Sequence, residues 1–251
     1  MRRGIGILLG LLSWWALHGY AQDAPPADIR VASEVWKQYT ERDGSGLGWD
    51  LLRAVYEPLG VQLKTQSVPY TRSIGLVQRG EADAWLGSYA DEVRNGVVYP
   101  QWHFDADQIC TLGLTEQPVV TLASLPRFHL AWMRGYGYER YLTNLTHFQE
   151  IQRRDGILSM LRLRHADLFI DARPEIEEVL EGAEDRAAFR VTCLTQLPLY
   201  VGFADTAKGR ALAALYDRRM AQLVRSGELR PLFARWHYPY PFEEAPHAST
   251  P

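Results

Sequence analysis

The sequence predicts an α/β protein built as two lobes, each a parallel sheet covered by helices. Three observations carry that prediction. Strand and helix patterns alternate from Ile29 to Ser88, the alternation returns from Phe128 to Ile170, and two extended apolar segments lie where the chain would cross between halves. Those segments are Phe104 to Thr115 and Pro198 to Ala204.

In the first half, IRVASEVW (29–36) alternates and then turns polar, which reads as a strand ending near Glu34 and Trp36. A Gly-rich loop leads to Leu47, Leu51, Leu52, Val55 and Leu59 at helical spacing, stopped by Pro58-Leu59-Gly60. VQLKTQSV (61–68) is the next strand, Tyr70 to Gly80 the next helix, and Ala82 to Ser88 a third, strongly apolar strand. In the second half, Phe128 to Met133 is a strand, Gly135 opens a helix, Asp155 to Arg164 is helical and Ala166 to Ile170 is a strand. Lys208 to Trp236 forms two closing helices parted at Ser226-Gly227. Lobe boundaries are expected at 28–107 plus 201–238 and at 108–200, followed by a flexible, Pro-rich tail over 239–251.

At the N-terminus, Met1-Arg2-Arg3, an apolar run from Gly4 to Leu17 and the small-residue stretch Gly19-Tyr20-Ala21 have the order of a secretory signal peptide, residues 1–21. A retained anchor is the alternative, but the run falls short of the roughly 20 apolar residues that span a bilayer. The secreted chain then starts near Gln22, outside the cytoplasm. Its net charge of −3 leaves no basic face to neutralise phosphates, which excludes nucleic acid as the expected partner.

Other chemistry finds little support. Gly44-Ser45-Gly46-Leu47-Gly48 lacks the spacing of a nucleotide loop, the seven histidines form no metal-ligand cluster, and no GxSxG elbow occurs. No cofactor or metal is expected. Glu175, Glu177, Glu178 and Glu181 read as a solvated helix face. Cys110 and Cys193 are either one disulfide or two buried thiols.

Two stretches resemble the bacterial extracellular solute-binding proteins of family 3, the polar amino acid class. GLGWDLLRAVYEPLGVQLKTQSVPYTRSIGLVQRGEADAWLGSYADEVR (46–94) is similar to that family's first lobe, and GRALAALYDRRMAQLVRSGELRPLFARW (209–236) to its closing helices. The resemblance covers about Ile29 to Trp236. It implies a periplasmic-binding-protein-like type II fold, two Rossmann-like lobes joined by two crossover strands, with a solute in the cleft. It further implies a monomer that delivers a carboxylate-bearing solute, an amino acid or analogue, to an ABC transporter permease, and no enzymatic activity. Alternatives on the same fold are a dehydratase of the prephenate or arogenate type, with Glu34 or Asp171 as its acid, and a sensory binding protein.

Ligands of parallel α/β sheets sit beyond the carboxyl ends of the strands. The first-lobe candidates are therefore Glu34, Trp36, Tyr70, Gly87, Ser88 and Tyr89. By the resemblance, Arg94, seven residues after Gly87, grips the solute's carboxylate, as a guanidinium fork is suited to do. Arg134, Gly135 and Tyr136 form the corresponding turn of the second lobe. Asp171 stands beside the position where the family keeps an acid for the solute's ammonium, here Ala172. Trp36, Tyr70, Tyr89 and Tyr136 together would wall the pocket, whereas Trp85 and Phe169 are expected in the core.

Overall fold

The computed structural model describes residues 24–142 and 144–242; the expected signal segment lies outside them. Among these residues nine strands form one continuous mixed sheet that serves both lobes. The first lobe carries β1 (Asp28–Ser33), α1 (Leu47–Tyr56), β2 (Gln62–Ser67), α2 (Tyr70–Gln78), β3 (Ala84–Ser88) and the short β4 (Val97–Val98). The chain crosses over on β5 (Asp105–Leu114). The second lobe adds β6 (Leu130–Met133), β7 (Phe148–Ile151), α3 (Ile157–Arg162), β8 (Leu168–Ala172) and α4 (Arg173–Glu181). It returns on β9 (Phe189–Ala204) and closes with α5 (Ala207–Ser226) and α6 (Arg230–Arg235).

Strand order is β2-β1-β3-β9-β5-β8-β6-β7, with β4 beside β9. Within each lobe β1 pairs parallel with β2 and β3, and β6 with β7 and β8. The crossover strands run the other way, so the middle of the sheet is antiparallel. The 16-residue β9 changes partners along its length: Phe189 to Leu199 pair with β5, and Tyr200 to Ala204 with β3 and β4. Pro198, which has no N–H, sits just before that change, where the strand has a partner on one side only.

Each helix is held by the face the sequence gives it. Helix α1 buries Leu47, Trp49, Leu51, Leu52, Val55 and Tyr56, and the left-handed Gly60 ends the helical turn that follows. The Tyr56 hydroxyl donates to the Leu212 carbonyl at 3.0 Å and ties α1 to α5. Helix α5 is capped by the Thr206 hydroxyl, which accepts from the Gly209 amide, and stops at the left-handed Gly227.

Three expectations need correction. No α-helix starts at Gly135; two left-handed glycines, Gly135 and Gly137, turn the chain into a single 3-10 turn at Tyr138–Arg140. The short strands β4 and β7 went unread because two to four residues carry too little periodicity. The described part of the expected flexible tail is packed: Tyr240 meets Phe233 at 5.6 Å, and Phe242 stacks on His103 at 4.9 Å. Aromatic rings alternating with prolines in YPYPF (238–242) give that segment both a stiff backbone and something to bury.

Cys110 and Cys193 form a disulfide across β5 and β9, at a register shift that sets them opposite each other. The bond closes a loop of 83 residues, for which chain entropy alone predicts about 4 to 5 kcal/mol and typical measured values are about 2–4 kcal/mol. Reduction, or Cys110→Ser with Cys193→Ser, is expected to lower the Tm by roughly 5–10 °C. An unchanged Tm on reduction contradicts the bond's place in the fold.

Candidate functional site

Between the lobes lies a cavity with about 520 Å³ of empty space, partly open to solvent. The first lobe supplies Trp36 and Tyr39 from the loop after β1, Tyr70 from the first turn of α2, and Gly87 and Tyr89 from the end of β3. The second lobe supplies Tyr136, Asp171 and Ala172, and Pro174 and Glu175 at the start of α4. Asp107 on β5 and Leu199 on β9 form the floor, and Tyr238 comes from the tail.

Local geometry explains why Trp36 faces inward. The Thr40 hydroxyl accepts from the Trp36 amide at 3.2 Å and donates to the Glu34 carbonyl at 2.7 Å, folding the loop back on itself. The indole lies over Gly87, where a Cβ would come within 2.5 Å of it; with its φ of +89°, that position suits glycine alone. Across the cleft, the indole Nε1 of Trp36 donates to the Tyr136 hydroxyl at 3.2 Å, and the Tyr70 and Tyr136 rings meet edge to face at 5.4 Å.

The Tyr136 hydroxyl also accepts from Arg154 Nη2 at 3.0 Å. Arg154 stands on the loop between β7 and α3, and its Nε donates to Asp171 Oδ2 at 2.9 Å. Asp171 is almost wholly buried and takes a further bond on Oδ1 from the Ala172 amide. Burial pushes the Asp171 carboxyl up while Arg154 pulls it back; burial opposes the Arg154 charge, yet the Asp171 carboxylate raises its pKa overall.

The other acids are dominated by burial, with Arg154 pulling only partly on Glu175 and Arg140 on Glu92. Tyr89 donates to Asp107 at 2.8 Å and Tyr39 to Asp105 at 2.7 Å, yet burial lifts both carboxyls to about 7. Burial pushes Glu175 up as well, reinforced by the negative charges of Asp171 and Asp107 and only partly offset by Arg154. In the wall of the first lobe, Glu92 accepts from Tyr70, Ser88 and the Tyr89 amide and is raised by burial to about 7.

Six predicted residues therefore meet at the cavity: Trp36, Tyr70, Gly87, Tyr89, Tyr136 and Asp171. Five do not line it. Ser88 is turned into the first lobe, toward Glu92 and Tyr99. Glu34 lines a neighbouring polar groove that also holds Arg154. Gly135 packs against Thr71 of the opposite lobe, and Arg134 is exposed. Arg94, the expected carboxylate clamp, is exposed too: the turn after β3 directs the Glu92 carboxylate inward, and Arg94, two residues on, faces solvent.

Sequence reasoning missed Tyr39, Asp107, Glu175, Tyr238 and Arg154. Two acids in the otherwise uncharged crossover strand, Asp105 and Asp107, were a usable signal, since buried strands rarely carry charge without purpose. Glu175 shares its helix with the exposed Glu178 and Glu181, and only its place in the first turn sets it apart.

The raised acids make stability depend on pH. Glu92, Asp105 and Asp107 bind protons in the folded chain up to about pH 7, whereas unfolded carboxyls release them near pH 4, so stability falls as pH rises through that window. His103, whose pKa burial lowers, acts in the opposite sense. The three carboxyls, each contributing on the order of 1–2 kcal/mol between pH 5.5 and 8, outweigh the one imidazole. The Tm is expected to be several degrees higher at pH 5.5 than at pH 8, measured by differential scanning calorimetry; a flat or rising profile toward pH 8 contradicts the burial of these acids.

No family model matches the chain, and no curated protein matches it in sequence. Solved structures do. A histidine kinase sensor domain with similarity to periplasmic binding proteins superposes with a TM-score of 0.70 at 16% identity, over 86% of this chain and 97% of that one. The substrate-binding protein of an amino acid ABC transporter gives 0.65 at 15% identity over 83% and 98%. A Streptococcus pneumoniae ABC uptake transporter substrate-binding protein with bound histidine gives 0.65 at 18% over 84% and 92%. At these identities the likeness to family 3 is one of fold: the chain adopts the two-lobed, periplasmic-binding-protein-like type II fold.

Proposed function

We propose that the protein is a periplasmic solute-binding protein that closes its two lobes over a small molecule and hands it to a membrane importer. The observation that carries this reading is the cleft itself. A cavity lies between two lobes hinged on two strands, and residues of opposite lobes meet over it. Besides the bond from Trp36 to Tyr136, Arg140 donates to the Glu92 carbonyl at 2.8 Å, Tyr141 to the Ala90 carbonyl at 3.2 Å, and Lys37 pairs with Glu181 at 2.7 Å. Ring contacts join them across the cleft, Tyr70 on Tyr136 and Tyr89 on Tyr138 and Tyr141. No helix among the described residues is long and apolar enough to cross a membrane.

An amino acid ABC transporter's binding protein among the solved structures supports the importer role, and a histidine kinase sensor domain supports sensing as a second reading. The dehydratase alternative loses its two named acids: Asp171 has both oxygens engaged, and Glu34 lies outside the cavity.

Closure brings Gly135 against Thr71, where a Cβ would meet Thr71 Cγ2 at 2.5 Å. Gly135→Ala is therefore expected to hold the lobes apart, weakening solute binding at least tenfold by calorimetric titration while lowering the Tm of the free chain by no more than a few degrees. Unchanged affinity in Gly135→Ala contradicts closure as the working step. Loss of labelled-solute uptake in cells lacking the gene separates import from sensing, in which uptake persists.

A further inference from the structure

The charges around the cleft indicate what kind of solute it takes, on the reading that it holds one. Of the three carboxylates on the cavity wall, Asp171 is neutralised by Arg154. Asp107 has no cation beside it, and Glu175 makes no ion pair and feels the same Arg154 only at longer range. Asp107 receives one hydrogen bond, from Tyr89 to Oδ2. Glu175 Oε2 is shut off from solvent and accepts none. A buried acceptor without a donor destabilises a fold, and the wall of a cavity is where an incoming donor relieves it.

Nothing at the cavity answers a carboxylate. Among the described residues no Lys, Arg or His lines it, and Arg94 and Arg134 lie exposed outside. The N-terminus of α4 borders the cavity, but Pro174 removes one of its free amides and the Glu175 carboxylate sits in that first turn. Six aromatic rings complete the lining, and the faces of such rings carry the negative potential that attracts cations.

We infer that the solute is an organic cation, a protonated amine whose ammonium meets Asp107 and Glu175 while its apolar body lies among the aromatic rings, and that it needs no carboxylate. This departs from the amino acid class that the resemblance implied. It also gives Asp171 the role of a positioning residue: it holds Arg154 and, through it, Tyr136.

The test is calorimetric titration of the purified chain with probes matched in shape and opposite in charge: phenethylamine and butylamine against phenylpropionate and butyrate, with phenylalanine as the zwitterion. The amines are expected to bind at least a hundredfold more tightly than the carboxylates. Glu175→Gln and Asp107→Asn are each expected to weaken amine binding at least tenfold. Both variants are also expected to keep or raise the Tm of the free chain, because each removes a buried acid, so misfolding does not explain the lost affinity. Carboxylate or zwitterion binding as tight as that of the amines, or unchanged amine affinity in Glu175→Gln, overturns the inference and leaves solute binding standing. If a wider screen of amines, carboxylates and zwitterions finds no binder at all, the solute-binding reading itself fails.

Discussion

Arg154 brings a guanidinium to the edge of a cavity walled by rings, and much of the cleft is arranged around that charge. A cation removed from water needs a carboxylate at bonding distance, and Asp171 at the end of β8 supplies it at 2.9 Å. Its Nη2 also donates to the Tyr136 hydroxyl, which Trp36 of the opposite lobe contacts as well. One buried ion pair thus positions the second-lobe ring that closes the cleft. Because Asp171 is satisfied within the protein, Asp107 and Glu175 are left as the acids that an incoming cation would draw into their ionised form.

The floor of the cavity is the hinge. Asp107 and Leu199 lie on the two crossover strands, next to the point where β9 exchanges β5 for β3. A solute seated on Asp107 would therefore touch the strands that must bend when the lobes part, which couples occupancy to lobe angle through direct contact. The Cys110–Cys193 bond lies farther along the same strand pair, inside the second lobe's half, and fixes the pairing there without crossing the point of exchange. The aromatic tail adds a side wall through Tyr238, whose ring lies 5.4 Å from that of Tyr39.

Most of the fold was legible in the sequence because its signals are local. Periodicity gave α1, α2 and α5, and apolar runs gave β3, β6 and β8; the crossover segments were recognisable as extended though not as antiparallel. The aromatic lining was legible for a related reason. Trp36, Tyr70 and Tyr89 follow strand ends directly, where parallel sheets present ligands. The charged groups were not legible, since their roles depend on direction. Arg94 and Arg154 both sit in loops near acids; only the turn that buries the Glu92 carboxylate sends Arg94 outward, and only the pairing with Asp171 draws Arg154 inward. Glu175 differs from Glu178 by less than one helical turn, yet one lines the cavity and the other faces the polar groove.

Arg154 and Asp171 act as one neutral unit. A double-mutant cycle with Arg154→Met, Asp171→Asn and the double variant, read by urea unfolding, tests it most directly. Removing the cation alone leaves a buried, unpaired carboxylate, so Arg154→Met is predicted to lose about 3–5 kcal/mol. The double variant is predicted to lose clearly less, giving a coupling energy of roughly 2 kcal/mol or more. Additive losses, or an Arg154→Met chain as stable as the wild type, would show that the two residues do not neutralise each other, and the charge accounting of the cleft would fall with them.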